Sequence, residues 1–281
     1  MHRHELLIRA CKVLADRHIA SPKLSAELFL AHVLGVERLN LLLHDEKLSE
    51  AEEKSFWALI ARHMAGEPIS YILGHKEFYG LNFHVDHHTL IPRPETELII
   101  NLAIEHLEKG SSAYFVDLGT GSGNIGLTLA HLCPLLQGVL IDVQKDALLV
   151  ARDNCRRLGL EHKVNFLCAD LASVPLCAKS VRLVVANPPY IAREDIETVA
   201  LDVLEYEPHK ALFSPNHGLW HLDKCCKSAA RLLEPCGYVI LEHGASQGAA
   251  VRAMLKDTGF SNIATHMDLA GLERVSLGQK K

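Results

Sequence analysis

The 281-residue chain predicts an α/β protein: a small helical domain, then a doubly wound parallel sheet with helices on both faces. Three observations carry this. From about residue 94, short apolar runs alternate with helical periods. A glycine-rich turn follows the first of those runs, and the first 70 or so residues carry only helix punctuation.

Taken in order, Leu6, Ala10, Val13 and Leu14 make one helical stripe. Ser21-Pro22 reads as an N-cap with proline at the first helical position, and Gly35 as the stop of that helix. Ser49-Glu50-Ala51-Glu52 fits a capping box opening a helix that runs toward Gly66 and Pro68. EFYGLNFHVD (77–86) alternates around Gly80 and predicts a short hairpin. A helix, ETELIINLAIEHLEK, ends at Gly110. Then come strand AYFVDL, the glycine turn and a helix, strand GVLIDV and a helix, and strands KVNFLC and VRLVVA. YVILEH, a helix to Gly259, and the pair NIATHMDL and ERVSLG close the chain, the last two antiparallel, with Gln279 to Lys281 as a loose tail. The expected organisation is a helical domain over 1–75, a hairpin linker over 76–92 and a sheet domain over 93–281.

A net charge of −5 offers no basic footprint, which argues against broad nucleic-acid binding. No run approaches about 18 apolar residues, so no membrane span is expected, and the charged start predicts no secretory signal. Eight scattered cysteines without a C-x-x-C pair read as reduced, mostly buried thiols of a cytoplasmic protein. The 18 histidines include no H-E-x-x-H or finger spacing, so no metal site is expected, and His87-His88 reads as solvated.

The first strand runs from Asp117 into Gly119-Thr120-Gly121-Ser122-Gly123, where glycines let the backbone approach a ligand at the carboxyl end of the sheet. Asp142, at the end of the second strand, is placed to accept from the two hydroxyls of a ribose. G-x-G-x-x-G also fits a dinucleotide fingerprint. D-x-G-x-G-x-G instead resembles the class I methyltransferase signature, which implies S-adenosylmethionine and a seven-stranded sheet. Asp117 then stands within reach of the cofactor, and Asp170 and Leu171, after the third strand, lie where such a fold meets an adenine.

VVANPPYIA (184–192) ends an apolar strand in Asn187, Pro188, Pro189 and Tyr190. Two consecutive prolines stop the strand and fix a stiff, extended backbone. A planar amide or amine nitrogen is a poor nucleophile because its lone pair is delocalised. Two acceptors placed out of plane, the Asn187 side-chain oxygen and the Pro188 carbonyl, hold its N–H groups and steer that pair toward a methyl donor. Tyr190 is expected to supply an aromatic wall.

The chain closely resembles the HemK/PrmC family, glutamine-N5 methyltransferases of the GGQ glutamine of peptide-chain release factors. The resemblance runs through AELFLAHVLG, GEPISYILGHKEFYGLNFHVD, LIPRPETE, VDLGTGSGNIG, NPPYI, YEPHKALF, LEHGASQG and DLAGLERV. It implies that Asn187, Pro188, Pro189 and Tyr190 bind the glutamine and that Gly119 to Gly123, Asp142 and Leu171 contact S-adenosylmethionine, with Asn187 between both. Arg93-Pro94-Glu95-Thr96-Glu97 matches the release-factor branch, and the helical domain is expected to dock the release factor. His209-Lys210 and Ser214-Pro215 depart from the family pattern beside the substrate. Adenine-N6 methylation of nucleic acid, which uses a related motif on a flipped base, is the competing reading and is opposed by the acidic balance.

Overall fold

The computed structural model describes residues 1–42, 45–107 and 112–281. They group into two compact units, Met1–Gly74 with Leu201–Tyr206, and His75–Ala200 with Glu207–Lys281.

The first unit is built from helices α1 (Arg3–Asp16), α2 (Pro22–Leu34), α3 (Glu50–Met64) and α4 (Ile69–Leu73). Leu6, Ala10 and Leu14 bury the predicted stripe of α1 against Phe29, Leu30, Phe56 and Ile60. The capping box of α3 is formed: Glu52 N donates to Ser49 Oγ at 3.2 Å, and Ser49 N to Glu52 Oε2 at 2.7 Å. Ser21 does not cap α2, because its own backbone is left-handed (φ +52°) and its side chain makes no capping bond. Helix α8 (Leu201–Tyr206) also belongs here, with the Tyr206 hydroxyl donating to Ala65 O at 2.9 Å.

The second unit opens with a hairpin, β1 (His75–Phe78) and β2 (Leu81–His84), and α5 (Glu97–His106). The predicted stop of α5 at Gly110 lies outside the described residues. Next come β3 (Ala113–Leu118), α6 (Asn124–Leu132), β4 (Leu136–Asp142), α7 (Lys145–Leu158), β5 (Val164–Cys168) and β6 (Val181–Ala186). A short α9 (His209–Leu212), α10 (Trp220–Leu232), β7 (Leu233–Glu242), α11 (Gly248–Asp257), β8 (Phe260–Met267) and β9 (Glu273–Lys280) complete it.

The seven-stranded sheet has the order β5-β4-β3-β6-β7-β9-β8. Five strands are parallel, and β9 runs antiparallel to both of its neighbours, so the terminal pair is as expected. The order reverses between β3 and β6, the position where ligands sit in open α/β sheets. Apolar clusters cover both faces. Ile99, Leu127, Leu129 and Cys155 pack on one, and Leu222, Cys225, Val251 and Leu255 on the other.

Phe78 and Phe83, edge-to-face at 6.2 Å, are fully buried in the first cluster, so the hairpin is an integral part of this unit. Asn154 of α7 clips it in place: Nδ2 donates to His84 O (2.9 Å) and Ser122 O (2.8 Å), and Oδ1 accepts from His84 N (2.7 Å). The expected loose tail is strand instead, since Gln279 pairs with Tyr238 of β7 and Lys280 with Phe260 of β8. Only Cys155, Cys225 and Cys226 are buried thiols. Cys168, Cys177 and Cys236 are exposed, at a strand end, in a loop and at a left-handed position within β7. Among the described residues no helix is long and apolar enough to cross a membrane.

Candidate active site

Parallel register brings the carboxyl ends of four strands together. Leu118 pairs with Ile141 on one side and Ala186 on the other, and Ala186 pairs with Leu241. Gly119, Asp142, Asn187 and Glu242 therefore emerge side by side. A cavity of about 290 Å³ opens there. Of the residues singled out from the sequence, Gly119, Thr120, Gly121, Ser122, Asp142, Asp170, Leu171, Asn187 and Pro189 line it.

The loop after β3 is shaped by backbone bonds. Gly119 N and Thr120 N both donate to Ile141 O, at 2.8 and 2.9 Å. Gly119 and Gly121 have φ of +74° and +55°, and a Cβ on either would meet nothing within 4 Å, so their open side faces space a ligand can fill. Asp142 secures the far side: Oδ2 accepts from Gly121 N (3.0 Å) and Oδ1 from Gln144 N (2.8 Å). The carboxylate keeps acceptor capacity for a further donor.

Four residues do other work than the sequence implied. Asp117 does not line the cavity. It is fully buried beneath the loop, its Oδ2 accepting from the Thr120 hydroxyl (2.6 Å) and Gly126 N (3.0 Å). Gly123 starts α6, packed so closely on Leu127 that a Cβ would lie 2.8 Å from its Cδ1. Pro188 is buried and its ring does not line the cavity, so the backbone carbonyl is the part of it left to serve a ligand. Tyr190 turns its ring into the second apolar cluster, where its hydroxyl donates to Glu242 Oε1 at 3.3 Å, so the ring forms no wall of the cavity.

Burial raises the Asp117 carboxyl to about 7, against the pull of the Thr120 and Gly126 hydrogen bonds. Burial likewise raises Glu242 to about 7. Both folded-state values lie above the unfolded ones, so their contribution to stability is fully present below the ordinary carboxylate range and is lost as pH rises through about 7. Lowering the pH from about 8 to about 6 should raise the thermal unfolding midpoint, and Asp117→Asn should shrink that rise. Scanning calorimetry across this window checks it; a midpoint that falls equally in both proteins contradicts the assignment.

The remaining walls contain residues the sequence reading gave no role. Asn187 Nδ2 donates to Thr96 Oγ1 at 3.2 Å. Glu207, buried, accepts from Arg93 Nη2 (2.5 Å) and Ile91 N (3.1 Å), which ties the LIPRPETE segment to YEPHKALF across 116 positions of chain. That pairing of motifs is a signal visible only once both are known to meet. The departures also have partners. Ser214, buried, bonds His221 at N (3.1 Å) and Nδ1 (2.7 Å), and His221 lines the cavity. Lys210 Nζ donates to Gln144 Oε1 at 3.4 Å. Asp86, His87 and His88 bring ligand-type atoms within 4.8 Å on one turn, with both histidines exposed.

Seven strands in this order, with an antiparallel last pair and a glycine loop at the switch point, define a class I S-adenosylmethionine-dependent methyltransferase. Residues 98–214 match the Methyltransferase small domain, and residues 5–74 match the PrmC N-terminal domain. The chain is 38% identical over 272 residues to the release factor glutamine methyltransferase of Nitratidesulfovibrio vulgaris, covering 96% of this chain and 92% of that protein. It is 40% identical over 258 residues to the protein of that name from Bordetella pertussis, with 92% and 94% covered. It is also 40% identical over 264 residues to that of Vibrio cholerae, with 93% and 91% covered. The chain belongs to the release factor glutamine methyltransferase family.

Proposed function

We propose that this chain transfers the methyl group of S-adenosylmethionine to the side-chain amide nitrogen, N5, of the glutamine in the GGQ motif of peptide-chain release factors. The observation that carries the reading is the placement of the glycine loop and Asn187 on adjacent strands, β3 and β6, around one cavity in a chain of this family. The competing nucleic-acid substrate has no such support, and the acceptor is a protein. Eight free thiols support a reducing, cytoplasmic setting.

The residues present fit the cofactor. The glycine loop leaves its open side free for it, the Asp142 carboxylate has acceptor capacity for a ribose diol, and Asp170 and Leu171 stand on the β5 side for the adenine. When bound, S-adenosylmethionine supplies a methyl group made electrophilic by its sulfonium. The chain does the rest. Asn187 Oδ1 and the Pro188 carbonyl accept the two N–H groups of the glutamine amide and turn its lone pair out of conjugation. Pro188 and Pro189 hold that carbonyl without reorganisation. The methylated amide nitrogen is strongly acidic and gives its proton to water, so no strong side-chain base is needed. Mass spectrometry of release factors incubated with enzyme and S-adenosylmethionine should show one added methyl on the GGQ glutamine, and an unmodified glutamine refutes the reading.

Asp142→Ala should weaken S-adenosylmethionine binding by about 1–3 kcal/mol, through ribose groups left poorly paired and a loosened Gly121. Calorimetric titration reads this, and unchanged affinity removes Asp142 from the site. The helical unit, matched over residues 5–74, is the docking surface for the release factor. Ile8 and Leu39 are exposed there. Ile8→Glu with Leu39→Glu should raise KM for the intact factor severalfold and leave KM for a glutamine peptide unchanged; equal effects on both place docking elsewhere.

A further inference from the structure

We propose that Thr96 and Glu242 are positioning residues for methyl transfer: together they decide which end of the Asn187 side-chain amide faces the substrate. This rests on Asn187 acting as an acceptor, as described above.

The parts are adjacent by register. Because Ala186 pairs with Leu241, Asn187 and Glu242 leave the sheet next to each other. Thr96, at the end of a short 3-10 turn (Pro94–Thr96), bonds the first of them. Its hydroxyl accepts from Asn187 Nδ2 at 3.2 Å and lies beside the Glu242 carboxylate. Thr96 and Glu242 are each only 1% exposed. Glu242 Oε1 takes the Tyr190 hydroxyl, while Oε2 is buried without a completed hydrogen bond.

The two ends of an asparagine amide have the same shape, so packing alone does not choose between them; hydrogen bonding must. A carboxylate only accepts. With Oε2 still lacking a donor, the carboxylate draws the single proton of the neighbouring Thr96 hydroxyl, which leaves Thr96 Oγ1 with lone pairs to offer Asn187. Only the nitrogen end of Asn187 satisfies such a partner. The oxygen end is left for the ligand, where it accepts a substrate N–H. A half-turn of the amide would set Oδ1 against Thr96 Oγ1 and present N–H groups to the substrate's own. Glu242 thus sends its polarity through one hydroxyl to the reacting centre.

The relay depends on Glu242 being ionised. Its neighbours are Thr96 and Glu95 in the 3-10 turn, Tyr190 after β6, and Arg274 from β9, with His243 next to it just past the end of β7. Burial raises the carboxyl, Thr96, Arg274 and Tyr190 draw it back, and Glu95 adds to the rise. A protonated Glu242 can donate, and the direction of the relay is then no longer imposed.

The test is single-turnover methylation of a release factor alongside titration of S-adenosylmethionine. Thr96→Val keeps the shape and removes the hydroxyl; the transfer rate should fall about tenfold or more, with cofactor affinity within about threefold of the original. Thr96→Ser, which restores the hydroxyl, should recover most of the rate. In an Asn187→Ala background, Thr96→Val should have no further effect on the rate, since its only route is through Asn187. Glu242→Gln should slow transfer and abolish any fall in rate on the acid side of neutrality. A full rate in Thr96→Val overturns the proposal, as does an equal loss in both the Val and Ser variants together with cofactor affinity, which would make Thr96 a structural brace. Full activity in Asn187→Ala instead overturns the parent reading, so the two failures are distinguishable.

Discussion

Replacing Asn187 with alanine should lower the methyl-transfer rate by about two orders of magnitude or more, the scale of losing one preorganised polar contact at a reacting centre. Cofactor binding should change little, because the Gly119–Gly121 backbone and Asp142 remain in the cavity lining. Asn187→Ala removes one of two acceptors for the substrate amide and also leaves Thr96 Oγ1 without its donor. Asn187→Asp is the sharper comparison. It keeps an acceptor of similar size but adds a charge, and it cannot donate to Thr96. A charge beside a cationic sulfonium stabilises the reactant more than the neutralising transition state, so binding should hold while turnover drops. Single-turnover kinetics with calorimetric titration of both variants decides the matter; undiminished transfer in Asn187→Ala would reduce the two prolines to a stiff strand exit.

The second large effect is expected at Gly218. Its φ is +81°, and a Cβ there would lie 2.1 Å from the carbonyl oxygen of Tyr190 and 2.6 Å from Gln247 Nε2. Gln247 Nε2 itself donates to that carbonyl at 2.9 Å and Gln247 Oε1 accepts from Gly244 N at 2.9 Å, so neither neighbour is free to yield. Gly218→Ala must therefore displace the backbone directly after Asn187-Pro188-Pro189. Left-handed strain and forced overpacking together should cost about 2–4 kcal/mol of stability. Turnover should fall with it, because the displaced segment carries the acceptors. Gly80 is the control. It has φ +77° with nothing within 4 Å of a Cβ, so Gly80→Ala should cost only about 1–2 kcal/mol and leave turnover intact. Denaturant unfolding and kcat measured together separate the cases, and equal costs at the two glycines would show that the contact with Tyr190 is irrelevant.

Much of this protein was determined by its sequence alone, because the signals are local. The capping box at Ser49 and Glu52 is a contact between residues three apart, and it forms. Alternating apolar runs and helical periods specify the parallel sheet, and the two prolines after Asn187 end β6 whatever surrounds them. The glycine loop, Asp142 and Asn187 were legible because their residue types are required by short stretches of backbone. Ser21 misled because a left-handed φ removed the geometry that its side chain needed to cap. Asp117 and Tyr190 misled for a different reason. Sequence places them at the right strand ends but does not say which way a side chain turns, and packing sent one beneath the glycine loop and the other toward Glu242. What only the tertiary structure decided is partnership across long separations: Asn154 with the hairpin, Glu207 with Arg93, and Thr96 between Asn187 and Glu242. Such pairs depend on strand order and register, which arise from the packing of the whole sheet, and no local periodicity in the chain encodes them.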